Sequence, residues 1–392
     1  MQSVLLFAVA CALAISGCVG PVALHEAVLG YDETISRLES EMLLLNIART
    51  HRRLPTHFTV TSSIAATFDY RATTGFIGAF LEAPGLNAYT LSLGTSAAEN
   101  PTLSIIPLQG EEFTTRILTP MDESKFQFLV LQGAPIDMVM RLMADGIEVQ
   151  DREGKFERFI LNWPTRPEEY EEFRRRVLHL AWLNANRKLF VGTLFFEETV
   201  RARLAGPPSA GEVMSALEKG YRWRVAEDGG YQLTRPVTGR VVVTNYDPRT
   251  LTDAERGALN ARAAANPSTF VLVDIRPGHP GGEFPLFGGI KLRSLNVILA
   301  FVAAGIAQAP EYDVGKDPRT GAVARNPARA LAIEVTATLP DEMVLSVPFG
   351  GLHYSVGGPA WDREAFALLH WLFQMTVTDV SRVGVPAVTI SK

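Results

Sequence analysis

Two runs of alternating residues constrain this chain more than anything else in it. From Phe58 to Tyr70 the even positions are Phe, Val, Ser, Ile, Ala, Phe and Tyr, and the odd positions are mostly Thr, Ser and Ala. This period-2 pattern outlasts an ordinary strand of about 5–6 residues. Residues 71–88 then hold Gly75, Gly78, Pro84 and Gly85, which are turn formers. A second run sets Tyr89, Leu91 and Leu93 against Thr90, Ser92 and Gly94, and continues past Asn100 and Pro101 into Leu103, Ile105 and Ile106. The pattern predicts a long amphipathic β-hairpin over 58–107. The first run alone reaches roughly 43 Å at about 3.3 Å per residue, enough to cross a bilayer at the usual tilt. A half-buried sheet in a globular body gives the same alternation, so the pattern leaves both readings open.

The N-terminus carries a second signal. Residues 1–17 contain no charged side chain, and Leu5 to Ile15 is almost wholly apolar. The run is too short to span a bilayer and has the length of a signal-peptide core. It ends in Ile15-Ser16-Gly17-Cys18, which resembles the lipobox of bacterial lipoproteins. That resemblance implies cleavage between Gly17 and Cys18, a diacylglycerol thioether on Cys18, and a fatty acyl chain such as palmitate on the new amino terminus. One acyl chain holds a protein marginally, and two or three anchor it stably. Met1-Gln2-Ser3 departs from the pattern in having no Lys or Arg. Val19, where sorting to the inner membrane uses Asp, implies by the same resemblance an outer-membrane protein facing the periplasm. Cys11 leaves with the signal and Cys18 is capped, so the mature chain is expected to hold neither a free thiol nor a disulfide, although the periplasm is oxidising.

The rest reads as a folded α+β protein. The chain has 392 residues, 37 basic against 42 acidic, and a net charge of −5. It lacks the basic excess of a nucleic-acid binder, so no nucleic-acid partner is expected. Residues 18–30 read as a lipidated tether. Tyr31, Ile35, Leu38, Met42 and Leu45 fall on one face of a helix over 31–54 that Pro55 stops. Helices are expected at 111–118, 123–132, 136–144 and 168–189, the last with Tyr170, Phe173, Val177, Leu180 and Leu183 on one face. Ala205-Gly206-Pro207-Pro208-Ser209 reads as a linker. The expected division is therefore 1–17 signal, 18–30 tether, 31–204 helix, hairpin and helical domain, and 211–392 a mixed α+β domain. Within the last, Gly229-Gly230 reads as a hairpin turn, 276–289 as a Gly/Pro loop, 292–307 as a buried apolar helix, and 362–376 as a further helix.

No residue pattern carries catalysis. The chain has no Gly-x-Ser-x-Gly elbow, no Ser-x-x-Lys and no phosphate-binding loop. The seven histidines lack metal-site spacing, although His353 and His370 could meet in space. Lys291 and Arg293, after Gly288-Gly289 and before a helix, could hold an anion, but a turning loop explains the glycines as well. Glu111-Glu112 and Glu197-Glu198 are adjacent rather than facing, as on a solvated surface. Trp163, Trp182, Trp223, Trp361 and Trp371 read as core or interface residues. No catalytic residue, cofactor or metal is assigned.

Leu44-Leu45-Asn46-Ile47-Ala48-Arg49, Pro107 to Phe113, Ile117-Leu118-Thr119-Pro120 and Gly133-Ala134-Pro135-Ile136-Asp137 resemble segments of a set of uncharacterised Gram-negative lipoproteins. The match lies mainly within 30–150. It implies an envelope protein and no activity. The expected role is an outer-membrane-anchored accessory, scaffold or binding component, with an envelope protein or further copies of itself as partner. The alternative is an oligomeric pore or secretion-channel subunit that donates hairpin 58–107 to a shared β-barrel, as in lipoproteins resembling the curli secretion channel. An envelope hydrolase is a third reading with no motif behind it.

Overall fold

The computed structural model describes residues 19–79, 88–204, 206–226, 229–340 and 343–377. The expected signal peptide, with Cys11 and Gly17, and the expected lipid-bearing Cys18 lie outside the described residues. The fold is α+β. Its first element, helix α1 (Val19–His51), begins well before the expected start, so residues 19–30 are helix rather than a loose tether. The apolar stripe is also offset. Leu43, Leu44, Ile47 and Ala48 are fully buried, while Met42 and Leu45 are only half-buried. Arg49 and His51 sit in the last turn, where the helix dipole favours positive charge.

Strands β1 (Thr59–Ala79) and β2 (Ala88–Pro107) form the expected antiparallel hairpin as a two-stranded sheet of their own. β1 is 21 residues long, because Gly75 and Gly78 continue the strand instead of turning it. The turn residues 80–87 lie outside the described residues. Beyond the hairpin come a short helix α2 (Gly110–Phe113) running on as a π-helical turn (Thr114–Leu118), then α3 (Glu123–Leu131) and α4 (Ile136–Met143). Asp122 caps α3 by accepting from the backbone of Ser124 and Lys125.

The expected boundary at 205–209 separates nothing. β3 (Ala144–Gln150), β4 (Phe156–Leu161) and β5 (Phe190–Leu204) come before it. β6 (Arg222–Val225), β7 (Tyr231–Thr244), β8 (Phe270–Ile275) and β9 (Leu286–Leu292) come after it. They interleave in one sheet of order β4-β3-β9-β8-β7-β5, with β6 on the outer half of β7. Only β7 and β8 pair in parallel, joined by the crossover helix α7 (Asp253–Ala264); a further helix, α6 (Ala210–Glu218), precedes β6. Gly229 does turn β6 into β7, at φ +79°. The predicted Gly/Pro loop overlaps β9. Gly288 adopts φ +135° where β9 passes β3, and a Cβ there would lie 1.9 Å from the Glu148 carbonyl oxygen. Glycine serves close approach at that point, not a turn.

Helix α5 (Pro167–Ala185) buries all five residues of its expected stripe. The apolar helix α8 (Leu295–Ala307) is largely buried and packs against α1. A three-stranded antiparallel sheet, β10 (Ile333–Thr336), β12 (Leu352–Gly357) and β11 (Met343–Phe349), and helix α9 (Ala360–Val377) complete the body. One continuous core takes residues from α1, α4, α5, β9, α8 and α9. Among the described residues, no helix is long and apolar enough to cross a membrane.

Candidate functional site

The hairpin is rooted in the core, and its root is the best-defined feature that bears on function. Asn46, 1% exposed on α1, accepts from the His57 backbone N–H at 2.8 Å and donates to its carbonyl at 2.9 Å. Two residues on, Thr59 Oγ1 donates to Met42 Sδ at 3.5 Å. The chain therefore turns at the end of α1 and starts β1 back along the helix, toward its N-terminus. Two strand residues cover about 6.6 Å and four helix residues about 6 Å, so the two runs keep pace. Phe58 is 1% exposed, with its ring 6.2 Å from Phe113 and 6.1 Å from Phe373. Its carbonyl accepts from Leu108 N–H at 2.9 Å, which pins the returning strand at the same place.

The body also holds a buried charge network that local sequence reading misses. All eight residues of α4 are buried, including Asp137 and Arg141. Arg141 donates to Glu311 at 2.8 and 3.1 Å and to the carbonyls of Pro327 and Ala328. Glu311 also accepts from Tyr170 Oη at 2.9 Å and from Ala330 N–H at 2.6 Å. Asp137 pairs with Arg174 at 2.6 Å, and Arg174 reaches Asn326 at 2.7 Å. Burial, then the Glu311 charge, pushes the Tyr170 hydroxyl well above its usual range. The network ties the irregular segment 310–330 to α4 and α5. Its only local trace is a mid-helix Asp-x-x-x-Arg pair in an otherwise apolar stretch.

Most of the residues weighed as chemical candidates are engaged in contacts within the fold. Arg293 is 2% exposed and turned inward, donating to the Asn162 carbonyl at 2.6 Å and lying 4.1 Å over the Phe301 ring. Burial pulls its guanidinium down to about 10, still protonated near neutrality. Lys291 pairs with Asp145 at 3.7 Å, so this pair forms no anion cradle. Glu112 pairs with Arg116 at 2.6 Å, Glu197 with Arg224, and Glu198 with Arg235 at 2.6 Å. His370 lies 3.8 Å from Glu39, and its partners are not His353. Trp361 donates to the carbonyl of Ala330 at 2.9 Å, Trp163 packs on Phe301, and Trp371 is half exposed. Among the described residues, no three His, Cys, Asp or Glu side chains come together as a metal site would need. A cleft of about 720 Å³ beside the hairpin root is lined by Glu111, Glu112, Arg116, Asp122 and Lys125. Its charges are mixed, and Asp122 is already engaged as a helix cap.

Comparison with protein-family models, with curated proteins and with solved structures finds no match to this chain.

Proposed function

We propose that this chain is a lipid-anchored outer-membrane protein whose copies assemble by their β1–β2 hairpins into a shared β-barrel. The carrying observation is the hairpin's isolation. Twenty register pairs run from Thr59↔Pro107 to Ala79↔Ala88, and no third strand joins them among the described residues. A lone two-stranded ribbon is marginal in water and leaves both edges unpaired. Further copies remove those edges by closing a barrel.

The register supports the same reading. Opposite positions share a face of a ribbon. From Ile64 outward, one face holds the positions of Phe68, Tyr70, Phe76, Tyr89, Leu91, Leu93 and Leu103, with Glu99 opposite Phe68 as its one charged position. The other holds Thr67, Asp69, Arg71, Thr73, Ser92, Ser96 and Asn100, and Ile77 as its one large apolar position. An apolar lipid face and a polar lumen need this segregation.

The accessory or binding role is the second reading. It is favoured by Met214 and Leu217 on α6 and Val225 on β6, which are 59%, 59% and 67% exposed.

The test is the native mass and conductance of the acylated protein, with and without residues 60–106 replaced by a short turn. The barrel reading expects a detergent-stable ring with liposome conductance, both lost in the deletion. A monomer without conductance in the intact protein overturns it in favour of the accessory role.

A further inference from the structure

We propose that only the distal half of the hairpin, from Tyr70↔Ala97 to Ala79↔Ala88, enters the hydrocarbon, and that α1 is the spacer that sets this depth. The inference rests on the shared-barrel reading and on acylation of Cys18. β1 starts back along α1, from His57 beside Asn46 to Thr59 beside Met42, and on this proposal the hairpin and the N-terminal end of α1 leave the body on the same side. The lipid on Cys18, one residue before Val19, would place that end at the near membrane surface. From Met42 back to Val19 the helix is about 35 Å long. β1 starts beside Met42 and covers the same distance in about ten or eleven residues, which ends at Tyr70. From Tyr70 to Ala79 remains about 30 Å of strand, or about 23 Å at the usual barrel tilt. A membrane-crossing strand needs about 9–11 residues and an apolar band of about 25 Å.

Sequence features independent of that measurement fall at the same place. β1 and β2 together contain three charged residues, Asp69, Arg71 and Glu99. All lie in the adjacent rows from Phe68↔Glu99 to Arg71↔Ser96. No charge occurs beyond them, in 72–79 or 88–98. Aromatic positions bracket the distal half on its apolar face, with Tyr70 at the near end and Phe76 and Tyr89 at the far end. Interfacial aromatic girdles have this placement. Pro101, opposite Ala66, lies on the body side. A missing ladder donor is tolerated where water reaches the strand and is costly in lipid. The proximal half therefore bridges the aqueous gap between the body and the membrane.

The test uses the full acylated protein in liposomes, whose Cys18 sulfur is capped by lipid. Single cysteines at Ala72, Thr74 or Phe76, at Thr73 or Gly75, and at Ile64 or Ala66 carry an environment-sensitive fluorophore, and nitroxide-labelled lipid is the quencher. Labels at 72, 74 and 76 should lose most of their emission. Those at 73, 75, 64 and 66 should keep it. Removing residues 32–38 shortens α1 by about 10 Å and should move the quenched window about three residues toward the body, to include 68. Quenching at 64 and 66 instead of 72–76 overturns the placement and leaves the barrel standing. A window that ignores the shortened helix overturns the spacer role. No quenching at any position, in a preparation without oligomers, overturns the barrel itself.

Discussion

Thr59 meets Met42 through a 3.5 Å hydrogen bond from hydroxyl to thioether, and this contact orients the hairpin relative to α1. The stronger clamp is its neighbour, the paired bonds between the Asn46 amide and the backbone of His57. Asn46→Ala removes both and should cost about 1–2 kcal/mol. The urea midpoint should fall without a change in slope. Trypsin should cut faster after Arg52 or Arg53 in the turn. An unchanged midpoint and cleavage rate would mean that Phe58 alone holds the root.

The parts of the fold legible in the sequence are those fixed by near neighbours. The stripe from Tyr170 to Leu183 is buried as its spacing demands, and the alternation over 58–107 is a hairpin. What stayed hidden depends on residues far away. Gly288 is punctuation in a linear reading, yet it sits within a strand because the Glu148 carbonyl leaves no room for a side chain. The linker at 205–209 looks like a boundary, but β5 before it pairs with β7 after it. Glu311 lies in the irregular segment 310–330, where nothing in the local sequence marks burial, yet two residues of other elements, Arg141 and Tyr170, draw it into the interior. For the candidate site, alternation identified the hairpin but not its direction, which depends on Asn46.

Gly288→Ala should be among the most damaging small substitutions in the body. It puts a methyl group 1.9 Å from a backbone oxygen at a φ that disfavours any side chain. Neither strand can yield without losing the β3–β9 ladder. A cost of at least about 2 kcal/mol is expected. Gly305→Ala, on α8 with open space around it, is the matched control and should be neutral or stabilising. Thermal melts of the two variants make the comparison. Equal melting points would contradict the close approach.

Glu311→Ala removes the acceptor shared by Arg141, Tyr170 and the Ala330 N–H. A buried guanidinium left with the Pro327 and Ala328 carbonyls and with Asp137 at 3.8 Å as its nearest carboxylate should cost about 3–5 kcal/mol. Glu311→Gln keeps the shape and loses the charge, so it should fall between the two. Denaturant titrations of the three proteins give the order. A Gln variant as stable as the parent would show that shape, not charge, holds segment 310–330.

Stability should fall as the solution is acidified below about pH 6.5, because three histidines are held neutral in the fold. Burial lowers the pKa of His51, His179 and His370; Arg52 adds to the effect at His51, and Glu39 opposes it at His370. His179 bonds to the Gly281 carbonyl at 2.9 Å and to Thr320 Oγ1 at 3.0 Å, so its uncharged ring can donate to one and accept from the other. The unfolded chain takes up protons near 6.5, before the folded one does. The stabilisation is therefore complete above that value and is lost as pH falls toward the folded pKa values. His179→Gln should flatten the dependence by up to about 1.4 kcal/mol per pH unit at its steepest. Denaturation of both proteins at pH 8, 6.5 and 5 reads this directly. Parallel curves would mean that His179 does not titrate differently on folding.

Cys18→Ala separates the anchor from the hairpin. If Cys18 carries the proposed thioether, the variant should fail to incorporate labelled palmitate and should accumulate outside the membrane fraction. Assembly should suffer as well, for a reason unrelated to any contact of Cys18. Anchored copies share a surface, and confinement there raises their effective concentration. The variant should therefore form rings only at much higher protein concentration than the acylated protein, while the melting point of its body, rooted through Phe58 and Asn46, stays unchanged. A variant that keeps both label and membrane association would remove the lipid from the scheme, and with it the depth argument for Tyr70.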